Sequence, residues 1–204
     1  MNATLAPKKC HIYIIRHAES RSNAGHRTSS PADNPITEKG QAQAQELAQK
    51  IRNTNITPDL IVISPYLRTK MTATPTMKLY SQCQIETWPE IHEFNYLNST
   101  RCANTTQAER RPFVEKYWQD MDPNYSDGGN AESFNDLINR IKQTIEHINS
   151  FTDKTILIFS HGQFMAMLKI YLQNPNASVN ELMQLFKDAD RGRTIANCEI
   201  IKIY

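Results

Sequence analysis

The chain has 204 residues, 39% of them hydrophobic and 22% charged, which suits one soluble globular domain with a full-sized core. Its 23 Lys and Arg against 21 Asp and Glu leave a net charge of +2, too balanced to point to nucleic acid or a membrane surface as partner. No run approaches the roughly 20 apolar residues that span a bilayer.

In chain order, the first element is the apolar run "IYII" (12–15), which stops at Arg16 and His17. Four-residue apolar runs of this kind predict buried strands of a parallel sheet. The segment "ITEKGQAQAQELAQKIRNT" (36–54) predicts a helix by its Ala, Gln, Glu, Leu and Lys content. A second strand, "LIVI" (60–63), runs into "SPYLRTK", which puts Arg68 at the start of the next helix. Residues 92 to about 130 break this alternation. They are polar and aromatic, end in "DPNYSDGG", and are expected to form a cap-like insertion in one domain covering residues 1–204. "AESFNDLINRIKQTIEHINSF" (131–151) predicts an amphipathic helix with Phe134, Leu137, Ile138, Ile141, Ile145 and Ile148 on its inner face. A third strand, "TILIF" (155–159), meets "SHGQ"; an apolar helix "QFMAMLKIYL" (163–172) follows, and "CEIIKIY" (198–204) predicts a closing strand.

Strands alternating with helices predict an α/β fold, a three-layer sandwich with a mostly parallel central sheet and helices on both faces. In such folds ligands sit beyond the carboxyl ends of the strands. Arg16 with His17, Arg68, and His161 with Gly162 then share one edge. Two arginines, two histidines and helix N-termini around one spot suit a phosphate dianion, because helix amides and the guanidinium fork both match its oxygens. Neighbouring arginines disfavour an imidazolium, so a histidine there stays neutral and nucleophilic. Attack on phosphorus gives a phosphohistidine, while the arginines meet the charge on the transferring oxygens without a metal.

The order of these motifs resembles the histidine phosphatase superfamily, in its phosphoglycerate mutase-like branch, over nearly the whole chain. "RHA" is similar to the family's Arg-His-Gly, with Asn23 in the place of a phosphate-binding asparagine. "ITEKGQAQA" matches the family's next segment at Thr37, Gly40 and Gln43. "SPYLRTKMTA" matches at Ser64, Arg68, Thr72 and Ala73, with Thr69 in place of an alanine. "NAESF" matches at Glu132 and Ser133, and "FSHGQ" resembles Ser-His-Gly-Gly. Any one of these strings is weak; five in order are specific.

The resemblance implies His17 as nucleophile, with Arg16, Asn23, Arg68, His161 and Gly162 binding the phosphate. It also implies a carboxylate, in a short segment after the family's own third strand, to protonate the leaving oxygen. "WPEIHEFNYL" offers Glu93 for that role, with Glu90 in reserve. The expected function is a metal-independent phosphoric monoester hydrolase of the histidine acid phosphatase type, with no cofactor and a small phosphomonoester as substrate. A phosphorylated protein is the other substrate class left open. The rival readings are a mutase-type phosphotransferase, for which Arg110 and Arg111 are the candidate carboxylate receptors, and a non-catalytic phospho-ligand or protein-binding module. Residues 1–10 show no apolar signal-peptide core, and Cys10, Cys83, Cys102 and Cys198 form no CxxC pair. A cytoplasmic protein with reduced thiols is expected, without a disulfide framework or zinc site.

Overall fold

A computed structural model describes residues 10–203. Five strands, β1 (His11–Arg16), β2 (Leu60–Ile63), β3 (Gln84–Thr87), β4 (Thr155–Ser160) and β5 (Ile200–Lys202), form one sheet in the order β3-β2-β4-β1-β5. All neighbours pair in parallel except β5, which runs antiparallel to β1. The helices are α1 (Glu38–Asn53), α2 (Leu67–Leu79), α3 (Ser99–Cys102), α4 (Gln107–Asp120), α5 (Phe134–Asn149), α6 (Gly162–Gln173) and α7 (Val179–Asp188). Among the described residues, no helix is long and apolar enough to cross a membrane.

The strands read as unbroken apolar runs because both faces are covered. Alternate side chains separate the two cores. Ile12, Ile14, Leu60, Val62, Ile156 and Ile158 pack with Phe134, Leu137 and Ile141 of α5, Phe164 and Met165 of α6, and Phe186 of α7. Ile15, Ile61, Ile63, Leu157 and Phe159 pack on the opposite face with Leu47 and Ile51 of α1 and Ala73 of α2. The central strand β4 therefore sends its helix to one face while β1 and β2, on either side of it, send theirs to the other. Adjacent strands whose crossovers leave in opposite directions open a crevice at their carboxyl ends.

The register sets that edge level. Arg16 pairs with Ser160 and Ile63 with Phe159. The ladder continues one residue further, with His17 N donating to Ser160 O and Ser64 N to Phe159 O, each at 3.0 Å. Residues 92–130, which carry little hydrophobic periodicity, hold α3 and α4 in place of further strands.

Candidate active site

Arg16 ends β1 with its guanidinium folded toward the chain's last turn, where Nη1 donates to the Ile195 carbonyl. Its Nε is buried without a partner. A Cβ at position 162 would lie 3.2 Å from that Nε and 3.2 Å from the Gly192 carbonyl oxygen, so the first residue of α6 is a glycine to let the guanidinium pass. Burial lowers the Arg16 pKa, opposed first by the Glu93 carboxylate.

His17, 3% exposed, points Nδ1 at the Ala18 carbonyl oxygen 2.7 Å away. A carbonyl only accepts, so Nδ1 carries the proton and Nε2 is left with a lone pair. Burial, then the charges of Arg68 and Arg16, pushes the imidazolium well below the usual histidine range. The ring is neutral at physiological pH and its nucleophilic nitrogen is the one not tied to the backbone.

His161 is buried beside it, ring centroids 5.3 Å apart. Its Nε2 meets Ser64 Oγ at 2.8 Å, and its Nδ1 is buried without a partner. Burial, then Arg68 and His17, also holds this ring well below the histidine range. Arg68, 5% exposed, donates from Nη1 to the Pro31 carbonyl at 2.6 Å and lies 5.0 Å over the Tyr66 ring. Burial pushes its pKa down to about 10, opposed first by Glu93, so it remains a cation at neutral pH. Helices α2 and α6 both begin at this edge, and neither N-terminus is closed by a side-chain cap. The first amide of α2, Leu67 N, donates to the Ala32 carbonyl at 2.9 Å.

Glu93 faces the cluster from the other side. Its Oε1 accepts from Phe94 N at 3.1 Å and from Phe164 N, in the first turn of α6, at 3.2 Å. The reserve residue Glu90 points elsewhere: its Oε1 meets His147 Nδ1 at 3.0 Å, on a ring stacked 3.8 Å from Trp88. Asn23 lies exposed at the rim, its Oδ1 accepting from Ser20 N at 3.2 Å and from Asn197 Nδ2 at 3.4 Å. The structure thus brings Arg16, His17, Arg68, Glu93, His161 and Gly162 together, with Asn23 beside them, and leaves Glu90 out.

The other matched residues hold the loops. Thr37 caps α1 and its backbone N donates to Glu19 O, while Gln43 Oε1 accepts from Glu19 N. A Cβ on residue 40 would meet that Glu19 oxygen at 2.3 Å, hence glycine. Sequence reading missed Tyr66, whose ring stands 5.1 Å from His161. It missed Asn197, whose Nδ2 donates to His17 O at 2.9 Å. It also missed Arg140, which grips the Glu93 segment through Glu132. Tyr66 was within a matched string; nothing local marks the other two. Arg110 turns its Nε back to the Thr106 carbonyl, and Arg111 pairs with Glu115 on the surface of α4.

A neutral histidine between two buried cations, with a carboxylate facing them, is an arrangement suited to attack on a phosphoryl group. The chain is 26% identical over 197 residues to a probable phosphoglycerate mutase GpmB of Erwinia tasmaniensis, covering 94% of this chain and 83% of that protein. Among solved structures, a phosphoserine phosphatase from Entamoeba histolytica in complex with 3-phosphoglyceric acid superposes with a TM-score of 0.71 at 19% identity. That match covers 96% of this chain and 91% of the other. The α-ribazole phosphatase of Shigella flexneri gives 0.67 at 22% identity, covering 85% and 84%. These two structures share the fold. The family model described as histidine phosphatase superfamily (branch 1) matches residues 12–188, running from β1 and its Arg16–His17 pair through His161 to α7, and the chain belongs to that family.

Proposed function

We propose that the protein is a phosphomonoesterase that works through a phosphohistidine on His17 and draws the positive charge for the reaction from its own side chains. The observation that carries this reading is the His17 ring, whose Nδ1–H is spent on the Ala18 carbonyl while its other nitrogen is left as a lone pair among Arg68, Arg16 and His161. Arg16 and Arg68 hold the non-bridging oxygens, with the Nδ1 of His161 as a further donor. Its Nε2 then accepts from Ser64 Oγ. Asn23 adds an amide at the rim. His17 Nε2 attacks phosphorus and the P–O ester bond breaks. The Glu93 carboxyl gives its proton to the departing oxygen, and the same carboxylate then takes a proton from the water that attacks the phosphohistidine. Orthophosphate leaves and His17 returns to its starting state. Glu93 suits the task because Oε1 is fixed by two backbone amides, which leaves Oε2 for the proton. Residues 92–130, with α3 and α4, form the cap that closes over the substrate.

Arg110 and Arg111, both engaged away from the cavity, favour hydrolysis over mutase-type transfer between hydroxyls. The test is orthophosphate release from p-nitrophenyl phosphate in the presence of EDTA, comparing the native chain with His17→Ala. Turnover that survives the chelator and vanishes in the variant is expected. Equal turnover by both proteins removes His17 as nucleophile. No turnover by either, from acid to neutral pH, moves the reading to a transferase or a binding module.

A further inference from the structure

Next to the phosphate site is a cavity of about 350 Å³, within the range of small-molecule pockets. Tyr66 is the shared wall, its ring 5.1 Å from His161 on one side and part of the cavity lining on the other. Pro31, which lines the cavity, holds Arg68 through its carbonyl, and Asn95, also lining it, follows Glu93 by two residues. An ester whose phosphorus sits against His17 reaches directly into this space with its alcohol half.

The lining chemistry is selective. Ser29, Ser30, Ser99 and Thr100 offer hydroxyls, Asn95 and Asn130 offer amides, and none of the lining residues is charged. Of the nearby cations, Arg68, which bonds the Pro31 carbonyl and lies over Tyr66, belongs to the phosphate site. Arg101, next to Thr100, pairs with Asp127 and lies 4.4 Å over the Phe113 ring. Arg27, just before the 29–32 segment, pairs with Glu109. The polar groups are also only partly used. Asn95 Nδ2 donates to Tyr66 Oη, which leaves its Oδ1. Asn130 Oδ1 accepts from Ser99 Oγ, which leaves its Nδ2. Ser30 Oγ accepts from Ala32 N at 3.1 Å and keeps its proton. The wall therefore offers both donors and acceptors. Alcohol hydroxyls satisfy both kinds, whereas a carboxylate accepts only and finds no cation among the lining residues.

We infer that the alcohol half of the substrate is a neutral polyhydroxy compound, so that the enzyme hydrolyses sugar or polyol phosphates in preference to phosphorylated acids. This rests on the phosphatase reading above. The experiment compares kcat/KM for glycerol 3-phosphate and 3-phosphoglycerate, which share a carbon skeleton and differ in a hydroxymethyl against a carboxylate, with ribose 5-phosphate as a larger polyol and p-nitrophenyl phosphate in parallel. Glycerol 3-phosphate is expected to be preferred by about tenfold, within the range that an unsatisfied polar group costs. In Asn130→Lys, an ammonium placed in the lining is expected to lower that ratio by about tenfold. Equal rates, or a preference for 3-phosphoglycerate, alongside turnover of p-nitrophenyl phosphate overturn the inference and leave the phosphatase standing. An unchanged ratio in Asn130→Lys overturns it as well. No turnover of any ester removes both readings together.

Discussion

His17 is held neutral where an ordinary histidine would take a proton, and the fold bears a cost for that. Its folded-state pKa and that of His161 lie well below the usual value, by burial and then by Arg68; His92 shifts the same way, by burial and then by Arg140. An unfolded chain therefore binds more protons than the folded one once pH falls below about 6.5. Stability is full above that pH and declines on acidification until the folded-state values are reached, by at most about 1.4 kcal/mol per pH unit for each histidine. Urea unfolding at pH 7 and pH 5 is expected to show this loss in the native chain, and a smaller one in His17→Gln, which fills the space without titrating. Identical losses in both chains would show that His17 is not one of the groups responsible. These residues were legible in the sequence because each follows a strand end at once: Arg16 and His17 after "IYII", His161 after "TILIFS". Asn197 was not, since its contact with His17 O spans the chain almost from end to end and no local pattern encodes it.

The Glu93 segment has no regular structure of its own beyond the 3-10 turn Pro89–Ile91, so its position must be imposed from outside. Arg140, on α5, does this. Its Nη1 donates to the carbonyls of Glu90 and His92, and its Nε and Nη2 grip both oxygens of Glu132 at 2.6 and 2.9 Å. Glu132 in turn accepts from Asn95 N at 3.1 Å, so the pair holds the chain on both sides of Glu93. With side chains only 11% and 14% exposed, this is a desolvated, bidentate contact whose breakage costs up to about 3 kcal/mol of stability. Arg140→Lys keeps the charge and loses the fork. It is expected to lower kcat for alkyl phosphates about tenfold or more while p-nitrophenyl phosphate, whose leaving group needs little protonation, loses much less. Equal losses on both substrates would reduce Arg140 to a structural residue. The string "NAESF" marked Glu132 and Ser133 as a pair, and Ser133 proves to cap α5 through a capping box with Asp136. Other elements escaped the sequence reading for identifiable reasons. β3 is an edge strand, "QIET", with three of its four residues exposed and no apolar run to read. α4 carries Pro112 and little apolar periodicity, and only its Thr106–Glu109 capping box announces it, as Ser178 and Glu181 announce α7.

The placement of the site follows from the sheet order. Because the crossover after β4 goes to one face and those after β1 and β2 go to the other, the cluster draws its cations and histidines from three chain-distant segments, 16–23, 64–72 and 161–166, with Glu93 added from a fourth. Phe164 and Met165 of the last segment pack in the α5–α7 layer, while Ala18 and Met71 of the other two pack with Ile36 and Ala44. Without a ligand, the cations there are opposed by Glu93 but not paired with it, and Arg16 Nε and His161 Nδ1 are buried with nothing to bond. Such an edge opens more easily than the strands behind it. An anion seated there bonds to all three segments at once and stabilises the folded state by RT ln(1 + [L]/Kd), about 2.7 kcal/mol at a hundredfold excess over Kd. Hydrogen exchange with and without orthophosphate is therefore expected to slow in 16–23, 64–72 and 161–166 together. Exchange in the outer strand β3 should stay the same unless it proceeds through global unfolding. The native chain is also expected to melt several degrees higher in phosphate, and Arg68→Ala to show neither effect. Protection confined to a single segment would mean that the three do not converge on one anion, and the phosphohistidine reading would lose its geometric basis.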